Sequence, residues 1–537
     1  MDKTPKTRSL EQYEGLSPFE IKDFLAKAAL KTADTSALTY INAGRGNPNW
    51  ISTAPREAFF TLGHFALTES KRVMDLPPGI GGMPKAPGIA ERATAWLAAN
   101  AAMPGAGFLS EMLPWAIAHF GFNPDKFVHE LIDSIIGDNY PVPDRMLVHN
   151  EQIVREYLQW AMCGEPAPAG KFNIYAVEGG TAAMCYIFKT MKSNRLLNPG
   201  DTIALGVPIF TPYLEMPHLE DYALNIVDIR ATQENGFQFS DAELDKLLDP
   251  KIKAFFLVNP GNPSAISLSD AVIAKIGKIL EKRPDLILLT DDVYGTFVPG
   301  FRGLLGAFPH NTIGVYSYSK YFGCTGWRLG TIAVHEDNVF EKLIAAHPEE
   351  TLAALDTRYS ALTLTPRKIS FIDRIVADSR DVALNHTAGL SLPQQVMMML
   401  FSLAELMDAK KDYQKGCIGI VKQRVRATIE GLGIEVGPND HYDYYYGLID
   451  FEFWMRKYVG DEVVDWVKKN VHPLDPVFKL AEDHGIVLLN GSGFDAPAWS
   501  VRVSFANLPE RSYDDIGRAI RVVAAGYVAD YEASKAK

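Results

Sequence analysis

A lysine and an arginine, eight residues apart and flanked by small residues, carry the strongest chemical signal in this sequence. Residues 317–330 read Ser-Tyr-Ser-Lys-Tyr-Phe-Gly-Cys-Thr-Gly-Trp-Arg-Leu-Gly and follow a β-rich run at 312–316. The amine of Lys320 would be partly desolvated at the end of a buried strand, which makes it a usable nucleophile toward an aldehyde. The guanidinium of Arg328, between two glycines, presents a planar fork that suits a phosphate.

An aldehyde and a phosphate on one cofactor indicate pyridoxal 5′-phosphate (PLP). For an isolated Ser-x-x-Lys the simpler interpretation is a surface lysine in a salt bridge with the arginine. The glycine spacing around Arg328 favours the cofactor interpretation. The motifs Ser-x-Ser-Lys and Gly-x-Arg-x-Gly resemble the lysine signature of fold-type I PLP enzymes of the aspartate aminotransferase superfamily. This resemblance implies that Lys320 is the cofactor-binding and catalytic lysine and that Ser317 and Arg328 also bind the cofactor.

The bulk composition is that of an ordinary soluble globular protein, with 47% hydrophobic and 22% charged residues among 537. The formal net charge of -12 disfavours broad attraction to nucleic acid or to an anionic membrane. The four cysteines form no Cys-x-x-Cys pair, so neither a zinc site nor a disulfide framework is indicated. The N-terminus has no apolar signal segment and no run of apolar residues could span a bilayer, so we expect a cytoplasmic protein.

A glycine-rich turn follows the predicted strand 173–177 and opens a helix with Gly179, Gly180 and Thr181. Free backbone N–H groups and the helix dipole at such a turn favour an anion. Strand, Gly-Gly-Thr and helix occur in the order of the superfamily turn that cups the PLP phosphate. The resemblance therefore implies that these three residues bind the cofactor.

Two more turns follow predicted strands. After the strand 202–206, the superfamily places an aromatic ring against the pyridine face of PLP, and Phe210 is the first candidate, with Tyr213 as the alternative. After the strand 252–258, Asn-Pro-Gly-Asn-Pro-Ser is very close to the superfamily motif Asn-Pro-x-Asn-Pro-Thr/Ser. The resemblance implies that its second asparagine, Asn262, donates to the phenolic oxygen of PLP and lies beside the substrate.

Carboxylates end the next predicted strand, 286–290. A carboxylate that faces the pyridine nitrogen keeps it protonated, which makes the ring an electron sink. Asp291 matches the superfamily position, and Asp292 is the near alternative. Tyr294 would reach the same phenolic oxygen as Asn262. A helix cap is the structural alternative for the two aspartates, but it does not account for Tyr294 or for the later lysine.

The order of elements predicts the fold class. Strands and helices alternate between residues 172 and 345, which indicates an α/β fold with a mostly parallel central sheet and helices on both faces. The candidate residues lie at the carboxyl ends of these strands, where open α/β sheets bind ligands. The fold expected is therefore that of the fold-type I PLP-dependent transferases, with a smaller α+β domain and an inserted helical region.

We expect four parts along the chain. Residues 1–50 form an N-terminal arm that contributes to the small domain and the active site. Residues 51–137 form the inserted helical region, which a minimal aminotransferase lacks. Residues 138–387 form the large PLP-binding domain, and residues 388–537 form the small C-terminal domain.

Three residues outside the sheet are further candidates. Arg45 lies in Asn-Ala-Gly-Arg-Gly-Asn-Pro, which resembles the superfamily arm across the substrate site, and it either meets an anionic substrate or is a solvated loop charge. Tyr140 lies in a Tyr-Pro turn and, by resemblance, reaches the cofactor phosphate of a neighbouring subunit; the alternative is packing. Arg502, in Val-Arg-Val-Ser-Phe-Ala-Asn, would clamp the substrate α-carboxylate bidentately, unless it faces solvent.

The long N-terminal insertion, the arm motif and the extended lysine motif are similar to the L-aspartate 4-decarboxylase (aspartate β-decarboxylase) subfamily. This similarity implies PLP-dependent β-decarboxylation of L-aspartate to L-alanine and CO2 through a ketimine, with side aspartate aminotransferase activity. Lys320 would be the general base at Cα and Arg45 would contact the distal carboxylate only loosely. The similarity also implies a homo-oligomer, which is at least a dimer and by family likeness a dodecamer.

Other functions remain as alternatives. A plain aspartate or aromatic aminotransferase would carry the same superfamily motifs. A PLP-fold regulator that binds DNA would need a basic recognition helix, and neither terminus has one. A metal-dependent decarboxylase would need clustered ligands, and no such pattern stands out among the 12 histidines.

Overall fold

The computed structural model describes residues 10–35, 39–380 and 386–536. The N-terminal segment forms helix α1 (Pro18–Thr35) and a short strand β1 (Ile41–Asn42). Ser17 and Glu20 cap α1 reciprocally, since each side chain accepts from the other's backbone N–H at 3.4 and 3.0 Å. Strand β1 pairs in parallel with residues 486–487, so the arm is attached to the C-terminal lobe.

The inserted region is a helical bundle with its own apolar core. The helical character predicted for residues 51–137 is present, whereas a small antiparallel hairpin within the region was not predicted. The hairpin occupies the Gly/Pro-rich loop, where short strands have no periodic signal. The elements are α2 (Ala54–Val73), β2 (Asp75–Leu76), β3 (Ile80–Gly81), α3 (Ile89–Ala99), α4 (Ala106–Phe120) and α5 (Pro124–Ile136).

A seven-stranded sheet and the helices connected to it form the centre of the molecule, called here the sheet layer. Its elements are α6 (Val148–Leu158), β4 (Phe172–Val177), α7 (Gly180–Ser193), β5 (Thr202–Val207), α8 (Thr211–Glu215), β6 (Asn225–Arg230), α9 (Asp241–Asp245), β7 (Ile252–Val258), α10 (Asp270–Lys282), β8 (Ile287–Asp291), α11 (Leu304–Ala307), β9 (Thr312–Ser317), β10 (Gly330–His335), α12 (Val339–Ala345), α13 (Glu349–Tyr359), α14 (Phe371–Ser379) and α15 (Leu392–Met407).

The strand order is β4-β10-β9-β8-β7-β5-β6, and β10 alone runs antiparallel to its neighbours. The other paired strands are parallel, which confirms the predicted α/β architecture. Helices cover both faces, so the central strands are buried on both sides and are almost continuously apolar. In this register Asp291 pairs with Val258 on one side and Val315 on the other, which aligns the carboxyl ends of β7, β8 and β9.

The C-terminal lobe packs helices on a three-stranded antiparallel sheet of order β11-β14-β13. Residues 486–490 form two two-residue strands, separated at Leu488, that pair with different partners. The elements are α16 (Asp412–Leu432), β11 (Tyr446–Asp450), α17 (Phe451–Tyr458), α18 (Asp461–Asn470), α19 (Asp475–His484), β12 (Ile486–Val487), β13 (Leu489–Asn490), β14 (Ser500–Ser504) and α20 (Glu510–Lys535).

Helix α15 joins the inserted bundle to the sheet layer. One face of α15 buries Val396, Met399 and Leu403 in the core of the bundle, and the other buries Met398 and Phe401 in the core of the sheet layer. The helix begins with a capping box formed by Ser391 and Gln394. Within the described ranges, no helix has both the length and the apolar composition needed to cross a membrane.

Candidate active site

A cavity of about 320 Å³ lies at the carboxyl ends of the central strands, between the sheet, the N-terminal arm and strand β11. It brings together most of the residues predicted from the sequence. Those that line it are Gly180, Thr181, Phe210, Asn262, Asp291, Tyr294, Ser317, Lys320 and Arg328. Residues that the sequence analysis did not single out complete the wall, among them Gly46, Ser319, Thr325 and Tyr446.

Lys320 lies in the turn after β9, and its Nζ donates to the carbonyl oxygen of Gly46 in the arm at 3.2 Å. Ser317, at the end of the strand, places its Oγ 3.0 Å from Ser319 Oγ. The turn is held from the arm by Trp50, whose Nε1 donates to the carbonyl of Tyr321 at 3.2 Å. The arm therefore both anchors the lysine turn and closes the cavity above the amine.

The end of the cavity beside Arg328 has the geometry of an anion site. Gly179 has φ +98°, and a side chain there would overlap the Arg328 guanidinium, so only glycine allows this close approach. Arg328 donates from Nη2 to the carbonyl of Glu178 at 3.1 Å and from Nη1 to that of Thr325 at 3.0 Å. The guanidinium is thus aligned beside the amino end of the 14-residue helix α7, where backbone N–H groups attract an anion.

Asp291 ends β8 and is buried at the floor of the cavity. Its Oδ2 accepts from the Tyr213 hydroxyl at 2.7 Å and its Oδ1 from the backbone N–H of Val293 at 3.2 Å. Burial raises the pKa of Asp291 to about 6, although these donors and the positive charge of Lys320 act in the opposite direction. A carboxylate held in this way can stabilise a cationic ring nitrogen.

The alternative aspartate points elsewhere. Asp292 is buried and does not line the cavity; its Oδ1 accepts from the Thr290 hydroxyl at 2.5 Å and its Oδ2 has no hydrogen-bond partner among the residues that the structure describes. Burial raises the pKa of Asp292 well above its ordinary value. Successive side chains of a strand point to opposite faces, so only one of the two carboxylates can face the ligand.

The two aromatic candidates have different positions. Phe210 lines the cavity, and its ring meets Tyr213 edge-on with 5.3 Å between centroids. Tyr213 is fully buried and directs its hydroxyl to Asp291, so it orients the carboxylate. That contact had no sequence signal, because the partners are 78 residues apart.

Arg502 is buried, with 2% of its surface exposed, and does not face solvent. Its Nη1 donates to Asn262 Oδ1 and its Nη2 to the carbonyl of Gly44, both at 3.1 Å. The guanidinium lies between the rings of Tyr446 and Phe494, at 4.3 and 4.8 Å from their centroids. Its Nε has no hydrogen-bond partner within the described part of the chain, so the group retains donor capacity for a carboxylate.

Tyr294 and Asn262 lie on the same side of the cavity. The Tyr294 hydroxyl donates to the hydroxyl of Tyr446 at 3.4 Å. The oxygen of Asn262 is occupied by Arg502, which leaves its amide nitrogen to donate to a ligand.

Four predicted residues do not line the cavity of their own chain. Gly179 and Arg502 lie against residues that do, Arg328 and Asn262, whereas Arg45 and Tyr140 do not. Arg45 is exposed, and its side chain forms no hydrogen bond or ion pair with the residues described. Tyr140 is 74% exposed and stacks on His386 with 5.0 Å between ring centroids.

Comparison with known proteins identifies the family. The profile of "Aminotransferase class I and II" matches residues 173–520. A relative from Pseudomonas sp, the "Bifunctional aspartate aminotransferase and L-aspartate beta-decarboxylase", is 46% identical over 96% of this chain and 97% of its own length. The chain belongs to the class I and II aminotransferase family.

Solved structures of aspartate aminotransferases have the same fold as this aminotransferase-family chain. The enzyme from Rhizobium meliloti matches with a TM-score of 0.58 at 16% identity, over 96% of this chain and 98% of the other. A mutant of the Thermus thermophilus enzyme matches with a TM-score of 0.54 at 17% identity, over 96% and 99%.

Class I and II aminotransferases depend on PLP, and the residues of the cavity fit that cofactor. The fit rests on three features of this chain: an amine at Lys320, a buried carboxylate at Asp291 with no cationic side chain in contact among the described residues, and the glycine cradle beside Arg328. These groups match, in turn, an aldehyde, a ring nitrogen and a phosphate.

Proposed function

We propose that this chain catalyses the PLP-dependent β-decarboxylation of L-aspartate to L-alanine and CO2, with aspartate transamination as a side activity. The observation that carries the proposal is the 46% identity, over nearly the whole of both chains, to a Pseudomonas protein named for those two activities. The cavity supports it, because it combines a lysine amine, a carboxylate-binding arginine and an acid that can hold a ring nitrogen proton.

Bound PLP supplies an aldehyde for the substrate amine and an aromatic system that accepts an electron pair from a neighbouring carbon. Lys320 would provide the amine that holds the aldehyde. Asp291, oriented by Tyr213, would hold the proton on the ring nitrogen. Asn262 and Tyr294 would donate to the phenolic oxygen, and Phe210 would cover a ring face. The phosphate would be bound by Gly179, Gly180, Thr181, Ser317 and Arg328.

Arg502 positions the substrate by its α-carboxylate. The guanidinium is buried and sandwiched between two aromatic rings, so its orientation is set before the substrate arrives. Preorganised charge of this kind reduces the ordering cost of binding. Lys320, when released, takes the proton from Cα as general base. Both groups lie beside Asn262 and the Gly44–Gly46 arm, so the α-carbon side of the substrate is held from two directions.

The distal carboxylate must be held loosely. An ion pair that is present in the ground state but weakens as CO2 forms raises the barrier to decarboxylation. We propose that Arg45 makes this transient contact, since it is exposed, directly precedes Gly46 of the cavity wall and has no intramolecular partner among the described residues. A tight bidentate clamp at this end would favour transamination.

We propose a cytoplasmic homo-oligomer in which a neighbouring subunit completes the site. Tyr140 would reach the partner's cofactor phosphate, which accounts for its 74% exposure in the isolated chain. Large apolar side chains near it and on the inserted region are also exposed, including Ile51, Phe60, Leu67 and Val142. Such a surface is typical of an assembly interface. A dimer is the minimum, and a dodecamer is the assembly suggested by the subfamily.

The deciding experiment separates decarboxylase from plain aminotransferase. Enzyme reconstituted with PLP is incubated with L-aspartate in the absence of a keto acid, and L-alanine and CO2 are measured. We expect sustained release of both products in equal amounts. A plain aminotransferase would stop after one turnover per site, because its cofactor needs a keto acid to be regenerated.

Covalent labelling tests the lysine independently of turnover. Borohydride reduction of the reconstituted enzyme should place a pyridoxyl group on Lys320, as read by peptide mass. The variant Lys320→Ala should lose this label and the absorbance of the bound cofactor. A label on a different lysine would contradict the site described here.

A further inference from the structure

Tyr446, the first residue of β11, places a hydroxyl in the cavity beside Lys320 and was not marked by any sequence motif. The residue is 2% exposed. The Arg502 guanidinium packs on its ring, with 4.3 Å between Cζ and the ring centroid, and its hydroxyl accepts from the Tyr294 hydroxyl at 3.4 Å. The phenol is therefore held on both its ring and its oxygen, at the boundary between the sheet and the C-terminal lobe.

Gly46 shows how close this hydroxyl is to the catalytic amine. A side-chain carbon on Gly46 would overlap the Tyr446 hydroxyl and would lie 3.2 Å from Lys320 Nζ. The same glycine's carbonyl accepts from Lys320 Nζ at 3.2 Å and from the Tyr445 hydroxyl at 2.8 Å. The absence of a side chain at Gly46 thus leaves the phenol and the amine open to the same small space.

The charges around Tyr446 distinguish it from its neighbours. Burial raises the pKa of its phenol, but the positive charges of Lys320 and Arg502 and the hydrogen bond from Tyr294 outweigh burial, so the pKa is lowered from its ordinary value. The negative charge of Asp443 acts weakly in the opposite direction. Tyr294 and Tyr445 have pKa values raised well above the ordinary value, chiefly by burial.

We propose that Tyr446 is a second acid–base residue of this site and supplies the proton that replaces CO2 on the substrate β-carbon. The inference rests on the proposed decarboxylation. When the bond from the β-carbon to the carboxylate breaks, its electron pair stays with the substrate, and that carbon must gain one proton. The O–H bond of Tyr446 breaks and a C–H bond forms at the β-carbon. The phenolate left between Lys320 and Arg502 then regains a proton from solvent.

Transamination needs no such proton, because no carbon–carbon bond breaks. Loss of the Tyr446 hydroxyl should therefore change the ratio of the two reactions. The variant Tyr446→Phe keeps the ring that packs on Arg502 and removes only the acid. Since a positioned general acid contributes roughly 10²- to 10⁴-fold, we expect alanine formation to fall by about 10²-fold. Transamination of aspartate with an added keto acid should fall by no more than about 10-fold, well short of that acid–base contribution.

A second measurement uses the protein without bound PLP. Tyrosinate absorbance of the cofactor-free protein at increasing pH should show an early-titrating phenol that Tyr446→Phe lacks. Tyr444→Phe, which removes a half-buried phenol outside the cavity, is the matched control and should retain the early step.

The outcomes are distinguishable. If the parent enzyme makes no alanine without a keto acid, the proposed decarboxylation itself is wrong. If the parent makes alanine but Tyr446→Phe does so equally well, Tyr446 is not the proton donor. An unchanged tyrosinate titration in Tyr446→Phe would also overturn the assignment.

Discussion

Replacement of Glu405 by glutamine tests how a buried carboxyl group next to the Lys320 turn affects the stability of the folded chain. Glu405 lies near the end of α15 with 1% of its surface exposed. Its Oε2 accepts from the hydroxyl of Tyr321, the residue after Lys320, at 2.9 Å. Lys411 Nζ lies 3.6 Å from Oε1, which has no hydrogen-bond partner in the described ranges. Burial raises the pKa of Glu405 to about 7, although Lys411 and Tyr321 lower it.

The raised pKa makes stability depend on pH in a definite direction. In the unfolded chain a glutamate titrates near 4.5, so between pH 4.5 and 7 the folded state binds the extra proton. Stability from this group is complete below pH 4.5 and is lost as the pH rises through about 7. At about 1.4 kcal/mol for each pH unit between the two pKa values, the loss is on the order of 3 kcal/mol.

The variant Glu405→Gln should be free of this loss. Its amide is uncharged at every pH, and its oxygen can still accept from Tyr321. Lys411 remains paired with the Glu405 main-chain carbonyl, to which it donates at 3.0 Å. At pH 8 we expect the variant to be more stable than the parent by up to about 3 kcal/mol. For a cooperative unit of roughly 250 residues this corresponds to about 6 °C in Tm.

The assay is the thermal transition of parent and variant, followed from pH 5 to pH 8.5 at constant ionic strength. The difference in Tm should be small at pH 5 and grow toward pH 8. Glu430→Gln is the control, since Glu430 is exposed and forms an ion pair with Arg426 within its own helix. Parallel curves for parent and Glu405→Gln, or a variant less stable than the parent at pH 8, would refute the reasoning.

Three further changes test the cavity. Arg502→Lys keeps the positive charge but replaces the bidentate guanidinium by a single ammonium group; loss of a charged hydrogen bond costs about 1.5–3 kcal/mol, so kcat/KM for aspartate should fall by at least about 10-fold while cofactor absorbance is kept. Arg45→Ala should alter aspartate affinity or the alanine-to-oxaloacetate ratio; no change in either would remove its role. Tyr213→Phe removes a donor to Asp291 and should raise the pKa of Asp291 above 6. PLP binding to the cofactor-free variant, followed by titration, should be about 10-fold weaker near pH 6 and recover toward pH 8.

The sequence by itself determined the parts of the site that short-range patterns encode. Gly179, Asn262, Asp291 and Lys320 each follow a strand whose β-branched and aromatic residues mark it as buried. Because parallel strands align their carboxyl ends, such residues must meet at one edge of the sheet, whatever the details of packing. The fold class was predictable for the same reason.

Which face of a strand a residue occupies, and which distant segments pack together, could be read only from the tertiary structure. Which of Asp291 and Asp292 faces the cavity depends on the register of β8 between its neighbours, and one residue of slip would exchange them. The short hairpin in the inserted region is set by packing, since two-residue strands have no period of their own.

The tertiary structure alone placed Tyr446 against Lys320, Tyr213 against Asp291 and Glu405 behind Tyr321. These pairs lie 126, 78 and 84 residues apart, and a tyrosine or a glutamate in a helix or strand has no local mark that distinguishes a buried partner from a solvated side chain. Local propensity depends on nearest neighbours in the chain, whereas the ionisation of these groups depends on desolvation and on charges brought from distant elements. The sequence therefore specified which chemistry is present, and the folded chain decided which protons can move.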